Sequence, residues 1–230
     1  MSWDWAYAWD CVPQLLDAFG TTLLATGLAS VLALVLGLAI ALVERWGRRS
    51  VAARIVGMGA EFIRRTPALI QLYFIFYVGP TVGVTLSALT AGVIALGLHF
   101  GTYMAESYRA GIDSVPRGQW DAAAALSLPR LQTWTKVILP QAVPPILAAQ
   151  GNWILIIFKG TALLSTITVV ELVSASQQIG SDHLAYLEPT VLVGIFFLAV
   201  SYPASVLLRS YERRISGVRR RVRRGRQAVR

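Results

Sequence analysis

The chain has 230 residues, of which 55% are hydrophobic and 14% are charged, and its formal net charge is +9. This composition is too apolar for an ordinary soluble domain. A single cysteine excludes a disulfide within the chain, and only two histidines argue against a metal site. We therefore expect a membrane protein with no cofactor of its own.

Five apolar stretches are long enough to cross a bilayer, since a helix of about 20 residues spans a hydrocarbon core of about 30 Å. The predicted spans are residues 18–43, 55–79, 84–108, 141–159 and 185–208. The expected fold is an all-α integral membrane protein with five transmembrane helices. Residues 1–208 form the predicted transmembrane domain, and residues 209–230 form a basic tail.

Charge predicts the orientation of these spans. The residues before the first span contain three aspartates and no lysine or arginine, whereas residues 44–54 contain four arginines. Ten arginines follow from residue 209 onward. Because basic segments stay in the cytoplasm, we expect an outside N-terminus and a cytoplasmic C-terminus. The arginine-rich tail is interpreted as an inner-leaflet anchor that binds membrane lipids and no nucleic acid.

The second predicted span contains polar residues. Glu61 precedes Arg64 and Arg65 by three and four residues, so the three share a helix face and are predicted to form structural ion pairs. Pro67 is expected to loosen the helical turn that contains Thr66. A polar, kinked segment at membrane depth must face protein or a water-filled path. The alternative is that the arginines extend to the headgroups.

The third predicted span has a polar stripe. His99, Tyr103 and Glu106 are spaced by four and three residues and therefore share one helix face. This stripe is a candidate lining for a transport path. For His99 alone, the alternative is a hydrogen-bonded packing residue.

Residues 113–140, between the third and fourth spans, are too charged to cross a bilayer. Pro116 marks a turn, and the alanine-rich run that follows predicts a short helix with Asp121 in its first turn, where a carboxylate complements the helix dipole. Pro129 interrupts this helix, and residues 131–139 are predicted to form a second one. Such a cytoplasmic hairpin is expected to dock onto another protein; the alternative is a plain connector.

The fourth predicted span begins after the prolines at 144–145 and ends near Lys159. Lys159 stands beside a predicted unwound turn at Gly160 and Thr161, with a helix N-terminus following. This arrangement is typical of an anion site, although Lys159 alone also fits an interfacial lysine. Residues 161–180 are predicted to form a re-entrant or interfacial helix on the outer side.

The hairpin resembles the signature of the integral subunits of ABC importers. The matching residues are Asp121, Ala122 and Ala123, then Ser127, and finally Val137, Ile138, Leu139 and Pro140. Asp121 replaces the family's Glu, and Ser127 replaces a Gly, although Ser enters left-handed conformations less easily. The resemblance implies that these residues couple the chain to an ATPase. The chain has no Gly-rich phosphate loop with Lys-Ser/Thr and is not expected to hydrolyse ATP itself.

Much of the chain, about residues 20–215, is similar to the polar amino-acid subfamily of ABC import permeases. The resemblance implies a second permease subunit, identical or homologous, a cytoplasmic ABC ATPase dimer that binds ATP, and an extracytoplasmic substrate-binding protein. It also implies the bacterial plasma membrane as location. By this resemblance, substrate contacts fall at Thr66, Ile70, Lys159 and Thr161, and the helix-face argument adds His99 and Tyr103.

A closer similarity, carried by residues 61–74, 97–123, 138–145 and 167–172, is to ectoine and hydroxyectoine permeases. It implies a compact zwitterionic substrate carried by alternating access. Lys159 or Arg64 is then a candidate partner for its carboxylate. An ion-coupled secondary transporter, a channel and an intramembrane enzyme are the alternatives. No internal repeat or hydrolase motif supports them.

Overall fold

The structure is a computed structural model that describes residues 3–47 and 50–227, with side chains described up to residue 213. Within this part of the chain, every regular element is helical, as the sequence predicts. Arg48, Arg49 and the side chains of most of the predicted basic tail lie outside the described residues.

The helices follow one another as α1 Trp5–Trp46, α2 Val51–Arg65, α3 Ala68–Tyr73, α4 Ala88–Asp113, α5 Arg117–Ala125, α6 Arg130–Gln132, α7 Leu139–Gly160, α8 Leu172–His183 and α9 Leu187–Gln227. Two π-helical segments, Phe74–Val78 and Thr133–Ile138, and two 3₁₀ segments, Gly79–Val82 and Thr161–Ile167, extend them.

Four helical stretches in the described residues are long and apolar enough to cross a membrane. They are Trp5–Trp46, Ala88–Asp113, Arg130–Ile167 and Leu187–Arg213. The predicted span at 55–79 is instead divided by an extended Thr66 and Pro67, and its apolar part, Ala68–Val82, is too short. A full break forms because Pro67 has no backbone N–H and disfavours a helical Thr66. The second predicted span, and with it the count of five, is therefore not confirmed.

The helix after the hairpin also differs from the prediction. It runs without interruption from Arg130 into α7 and through the prolines at 144–145, so residues 131–139 are not a separate helix. The π-helical segment Thr133–Ile138 leads directly into α7, and Pro140 follows that junction.

Helix α1 packs closely against α4. Small buried residues recur every three or four positions along α1, and a Cβ added at Gly37 would lie 2.8 Å from the carbonyl oxygen of Gly101. Such close approach is typical of membrane helices with small residues at their interface. Helix α4 thereby becomes the centre of the apolar core, with α1, α3 and α7 around it.

Among the described residues, the two ends of this bundle differ in their charged residues, since arginines gather at one end only, where Glu44 and Asp113 pair with two of them. At one end, the Asp4 backbone N–H donates to Glu188 at 3.0 Å, next to the α1 N-terminus. At the other end, Arg45, Arg109 and Arg130 surround the base of the 113–140 hairpin. We call these the acidic end and the hairpin end.

Candidate functional site

The break between α2 and α3 leaves backbone carbonyls without helical partners. Gln71 Nε2 supplies a donor to the Thr66 carbonyl oxygen at 3.2 Å. It also lies 2.7 Å from the Ile63 carbonyl oxygen, which accepts from the Thr66 N–H and hydroxyl as well. The same Nε2 is 2.6 Å from Thr66 Oγ1. A buried carbonyl without a partner costs about 1–3 kcal/mol, so Gln71 stabilises the broken conformation.

Helix α4 holds the break from the other side. His99 Nδ1 lies 3.3 Å from Gln71 Oε1, and the Tyr103 hydroxyl donates to the Arg64 carbonyl at 3.1 Å. Arg64 in turn donates from Nη1 to the Thr102 carbonyl at 3.2 Å. The predicted polar stripe of α4 thus faces the break and bonds to it.

The charged residues beside the break form a network. Glu61 lies 2.6 Å from Arg65 and 3.3 Å from Arg64, and Arg64 is also 3.2 Å from Glu106. The Arg65 side chain is 77% exposed, whereas that of Arg64 is 17% exposed. Exposed ion pairs contribute little, so Arg64 is the arginine that fixes the geometry here.

An aromatic cluster closes the space between α4 and α7. The Tyr103 and Trp153 ring centroids are 4.9 Å apart at an interplanar angle of 37°. Trp153 Nε1 donates to Ser107 Oγ at 2.9 Å, which fixes the indole. Tyr103 therefore contacts both the break and helix α7.

The remaining predicted path residues do not join this cluster. Ile70 is 45% exposed, and Lys159 is exposed as well. Thr161 is fully buried, and its hydroxyl donates to the Phe158 carbonyl at 2.7 Å. The predicted unwound turn at Gly160 is wrong, because the backbone stays helical there and continues as a 3₁₀ segment.

The following helix, α8, is capped at its N-terminus by its own acidic side chain. Glu171 Oε1 accepts from the Ser174 N–H at 2.9 Å, and the Leu172 N–H donates to Thr22 Oγ1 at 3.2 Å. Burial raises the pKa of Glu171, although hydrogen bonds from the backbone oppose that shift. The helix that we predicted to begin directly after the Gly160–Thr161 turn thus begins only at Leu172, and a side chain of the chain itself caps its N-terminus.

The hairpin residues lie mostly on the surface. Helix α5 begins at Arg117, so Asp121 lies in its second turn and the predicted first-turn position is wrong. Ala123 is buried, while Asp121 and Ala122 are exposed. Leu139 and Pro140 begin α7 and are exposed in part.

The tip of the hairpin is a left-handed turn at Ser127. Ser127 has φ 51°, its N–H donates to the Ala124 carbonyl at 2.9 Å, and the Leu128 N–H donates to the Ala123 carbonyl at 3.1 Å. These two bonds define a Schellman motif, in which Gly is the usual left-handed residue. Ser127 therefore makes the turn that a Gly would make. Leu126 at the tip is 73% exposed.

Sequence reasoning missed the residues at the base of the hairpin. The rings of Trp120 and Trp134, one from each arm, lie 5.4 Å apart at 83°. The Arg45 guanidinium lies 5.9 Å and 5.5 Å from their centroids, and its Nη1 is 2.8 Å from Asp113 Oδ1. Two tryptophans within a short charged segment were the available signal.

The chain is similar to known transport proteins along most of its length. The family model for "Binding-protein-dependent transport system inner membrane component" matches residues 33–217. A "Probable amino-acid ABC transporter permease protein" of Sinorhizobium fredii, y4tG, is 40% identical over 204 residues, which cover 89% of this chain and 88% of that protein. The glutamine transport system permease protein GlnP of Escherichia coli K12 is 33% identical over 220 residues, covering 94% and 99%.

Two solved structures share this fold. The crystal structure of an amino acid ABC transporter with histidines superposes with a TM-score of 0.86 at 32% identity, covering 93% of this chain and 100% of the other. An inward-facing structure of the methionine transporter MetNI gives a TM-score of 0.68 at 20% identity, covering 86% and 96%, and supports the fold alone.

Proposed function

The chain belongs to the family of binding-protein-dependent transport system inner membrane components, and from that premise we propose that it moves ectoine, hydroxyectoine or a polar amino acid through the membrane by alternating access. It is the permease component of an amino-acid ABC importer, a multi-pass inner membrane protein. Its relatives are transport components and not catalytic ones. ABC importers in general combine such a permease with ATPase subunits and a substrate-binding protein.

The proposed orientation puts the hairpin end in the cytoplasm and the acidic end outside. The gathering of Arg45, Arg109 and Arg130 at the hairpin end supports it, because basic residues are retained on the cytoplasmic side. A cysteine introduced at Gln119 is then expected to resist impermeant thiol reagents in intact cells and to react in inverted vesicles. Labelling from outside would overturn both the orientation and the docking role.

The hairpin is the proposed contact with the ATPase dimer. Its exposed Asp121 and Ala122, the exposed Leu126 beside Ser127, and the junction at Leu139 and Pro140 offer a small surface with an apolar tip, which supports a protein contact. A single exposed apolar residue is common, so Leu126 supports a contact only together with the other residues of this surface. Co-purification of an ATPase subunit would separate this proposal from an ion-coupled transporter or a channel.

Charge reversal provides the sharper test of docking. Asp121→Arg is expected to lower both transport and the stimulation of ATP hydrolysis by loaded binding protein, because the arginine changes the charge of the docking surface. Asp121→Glu is the matched control, since the family signature has Glu at this position, and it is expected to retain stimulation. Full stimulation in Asp121→Arg would rule out the docking role of this residue.

The break and the α4 face opposite it are the proposed substrate path. Thr66, His99 and Tyr103 already surround the break, where polar side chains satisfy an interrupted helix. Non-helical backbone at membrane depth is tolerated only next to protein or water, which supports a path here. Exposed Ile70 and Lys159 fit a path that a second permease subunit, identical or homologous, completes.

Lys159 is the proposed contact for the substrate carboxylate. Its exposed ammonium forms no ion pair with any acidic side chain in the described residues, so it is free to pair with a ligand. Thr161, in contrast, is buried and contacts the substrate only if the 3₁₀ segment Thr161–Ile167 rearranges. Uptake of labelled ectoine into membrane vesicles is expected to fall in Lys159→Ala and to recover in part in Lys159→Arg. Unchanged uptake in Lys159→Ala would exclude the lysine, and a thermal-shift ligand screen of the cognate binding protein would identify the substrate.

A further inference from the structure

Arg45 joins three parts of the structure at the hairpin end. It belongs to the last turn of α1, it forms an ion pair with Asp113 at the end of α4, and its guanidinium lies over the rings of Trp120 and Trp134. The two tryptophans belong to different arms of the hairpin. One side chain therefore contacts both arms of the hairpin and two of the apolar helices.

Chain connectivity alone does not attach the hairpin to α1. The hairpin follows α4 and leads into α7, and its tryptophans pack on a small apolar cluster with Val115 and Ile138. Arg45 adds the attachment to α1. A planar guanidinium suits this position better than an ammonium, since it stacks on aromatic rings while it pairs with a carboxylate.

A chain of ion pairs continues from this point to the break. Glu44, next to Arg45, pairs with Arg109, and Arg109 lies 3.4 Å from Glu106. Glu106 is 3.2 Å from Arg64, whose carbonyl accepts the Tyr103 hydroxyl. Charged contacts thus run from the base of the hairpin to the segment that borders the proposed substrate path.

We propose that Arg45 is a positioning residue that makes the hairpin move as one body with the ends of α1 and α4. A displacement of the hairpin by the ATPase subunits then shifts the adjacent Glu44 and, through Arg109, Glu106 and Arg64, the α2–α3 break. This inference rests on the proposed docking function, and it assigns a role to a residue outside both the hairpin surface and the substrate path.

The test uses the complete transporter, reconstituted in proteoliposomes with its ATPase subunits and loaded binding protein. The readout is the number of substrate molecules transported per ATP hydrolysed, which a merely reduced amount of folded protein does not change. Arg45→Ala is expected to lower this ratio by about fivefold or more, the lower limit of typical coupling between distant sites. Arg54→Ala, an exposed arginine on α2, is the matched control and is expected to keep the wild-type ratio.

Two further variants test the contact itself. Arg45→Lys keeps the charge that pairs with Asp113 but loses the planar group, so it is expected to fold and to lower the ratio less than alanine does. Trp134→Leu is expected to lower the ratio as well. The loss in the double variant with Arg45→Ala should be smaller than the sum of the two single losses, because both changes remove the contact between Arg45 and Trp134.

The outcomes separate this inference from the function on which it rests. If wild-type transporter recruits no ATPase, the docking proposal itself is wrong. If the wild type couples and Arg45→Ala or Arg45→Lys retains the full ratio, the role of Arg45 is refuted. If Arg45→Ala does not assemble with the ATPase subunits, the transport-to-ATP ratio of Arg45→Lys decides whether Arg45 has this role. Independent, additive losses in the double variant would also contradict the proposed stacking contact.

Discussion

Replacing Ser127 with Gly should stabilise the tip of the hairpin. A left-handed conformation costs an L-residue about 1–2 kcal/mol, and Ser127 adopts it at φ 51°. Gly avoids that cost but loses about 0.5–1 kcal/mol more backbone entropy on folding. The expected net gain is about 0.5–1 kcal/mol, equivalent to about a two- to fivefold change in a local opening equilibrium.

Hydrogen exchange of the hairpin amides measures this gain directly. The Ser127 and Leu128 amides donate to Ala124 and Ala123, so in Ser127→Gly they should exchange about two- to fivefold more slowly. Ser127→Ala is the control, because Ala has the same left-handed penalty and should show no added protection. Equal or faster exchange in the Gly variant would refute the assignment of strain to this turn.

Three further predictions concern packing, the break and pH. Gly111→Ala should destabilise the solubilised protein by about 1–3 kcal/mol, since a Cβ there would lie 2.2 Å from Ile146 Cγ1. Gly118→Ala is the control, because the space around Gly118 is open, and it should not lower the melting temperature. Gln71→Met should lower stability by about 1–3 kcal/mol by leaving the Thr66 carbonyl at the break unpaired, and unchanged thermal unfolding would contradict that account. Burial raises the pKa of Glu171 above its ordinary value of 4.5, so its stabilising contribution is present below that value and is lost as pH rises through the folded-state pKa. The melting temperature of Glu171→Gln, relative to that of the wild type, should therefore rise as pH increases from acid to neutral. A difference in melting temperature that does not depend on pH would argue against this titration.

Local pattern was sufficient for the features that depend on near neighbours along the chain. Apolar runs predicted the helical membrane class, and the spacing of Glu61 and Arg65 places both on one helix face. Pro67 predicted a disturbance of the second helix, although the pattern could not distinguish a loosened turn from the complete break. The sequence also predicted the hairpin, but not that α5 would begin early enough to move Asp121 into its second turn.

The sequence by itself determined that this chain is a helical membrane protein with a charged hairpin, because hydropathy and charge are properties of contiguous residues. Only the tertiary structure decided that Thr161 is buried while Lys159 is exposed, and that Arg45 contacts both Trp120 and Trp134. These outcomes depend on which helix packs against which, so they arise from contacts between residues far apart in the sequence. No periodicity within one segment encodes them.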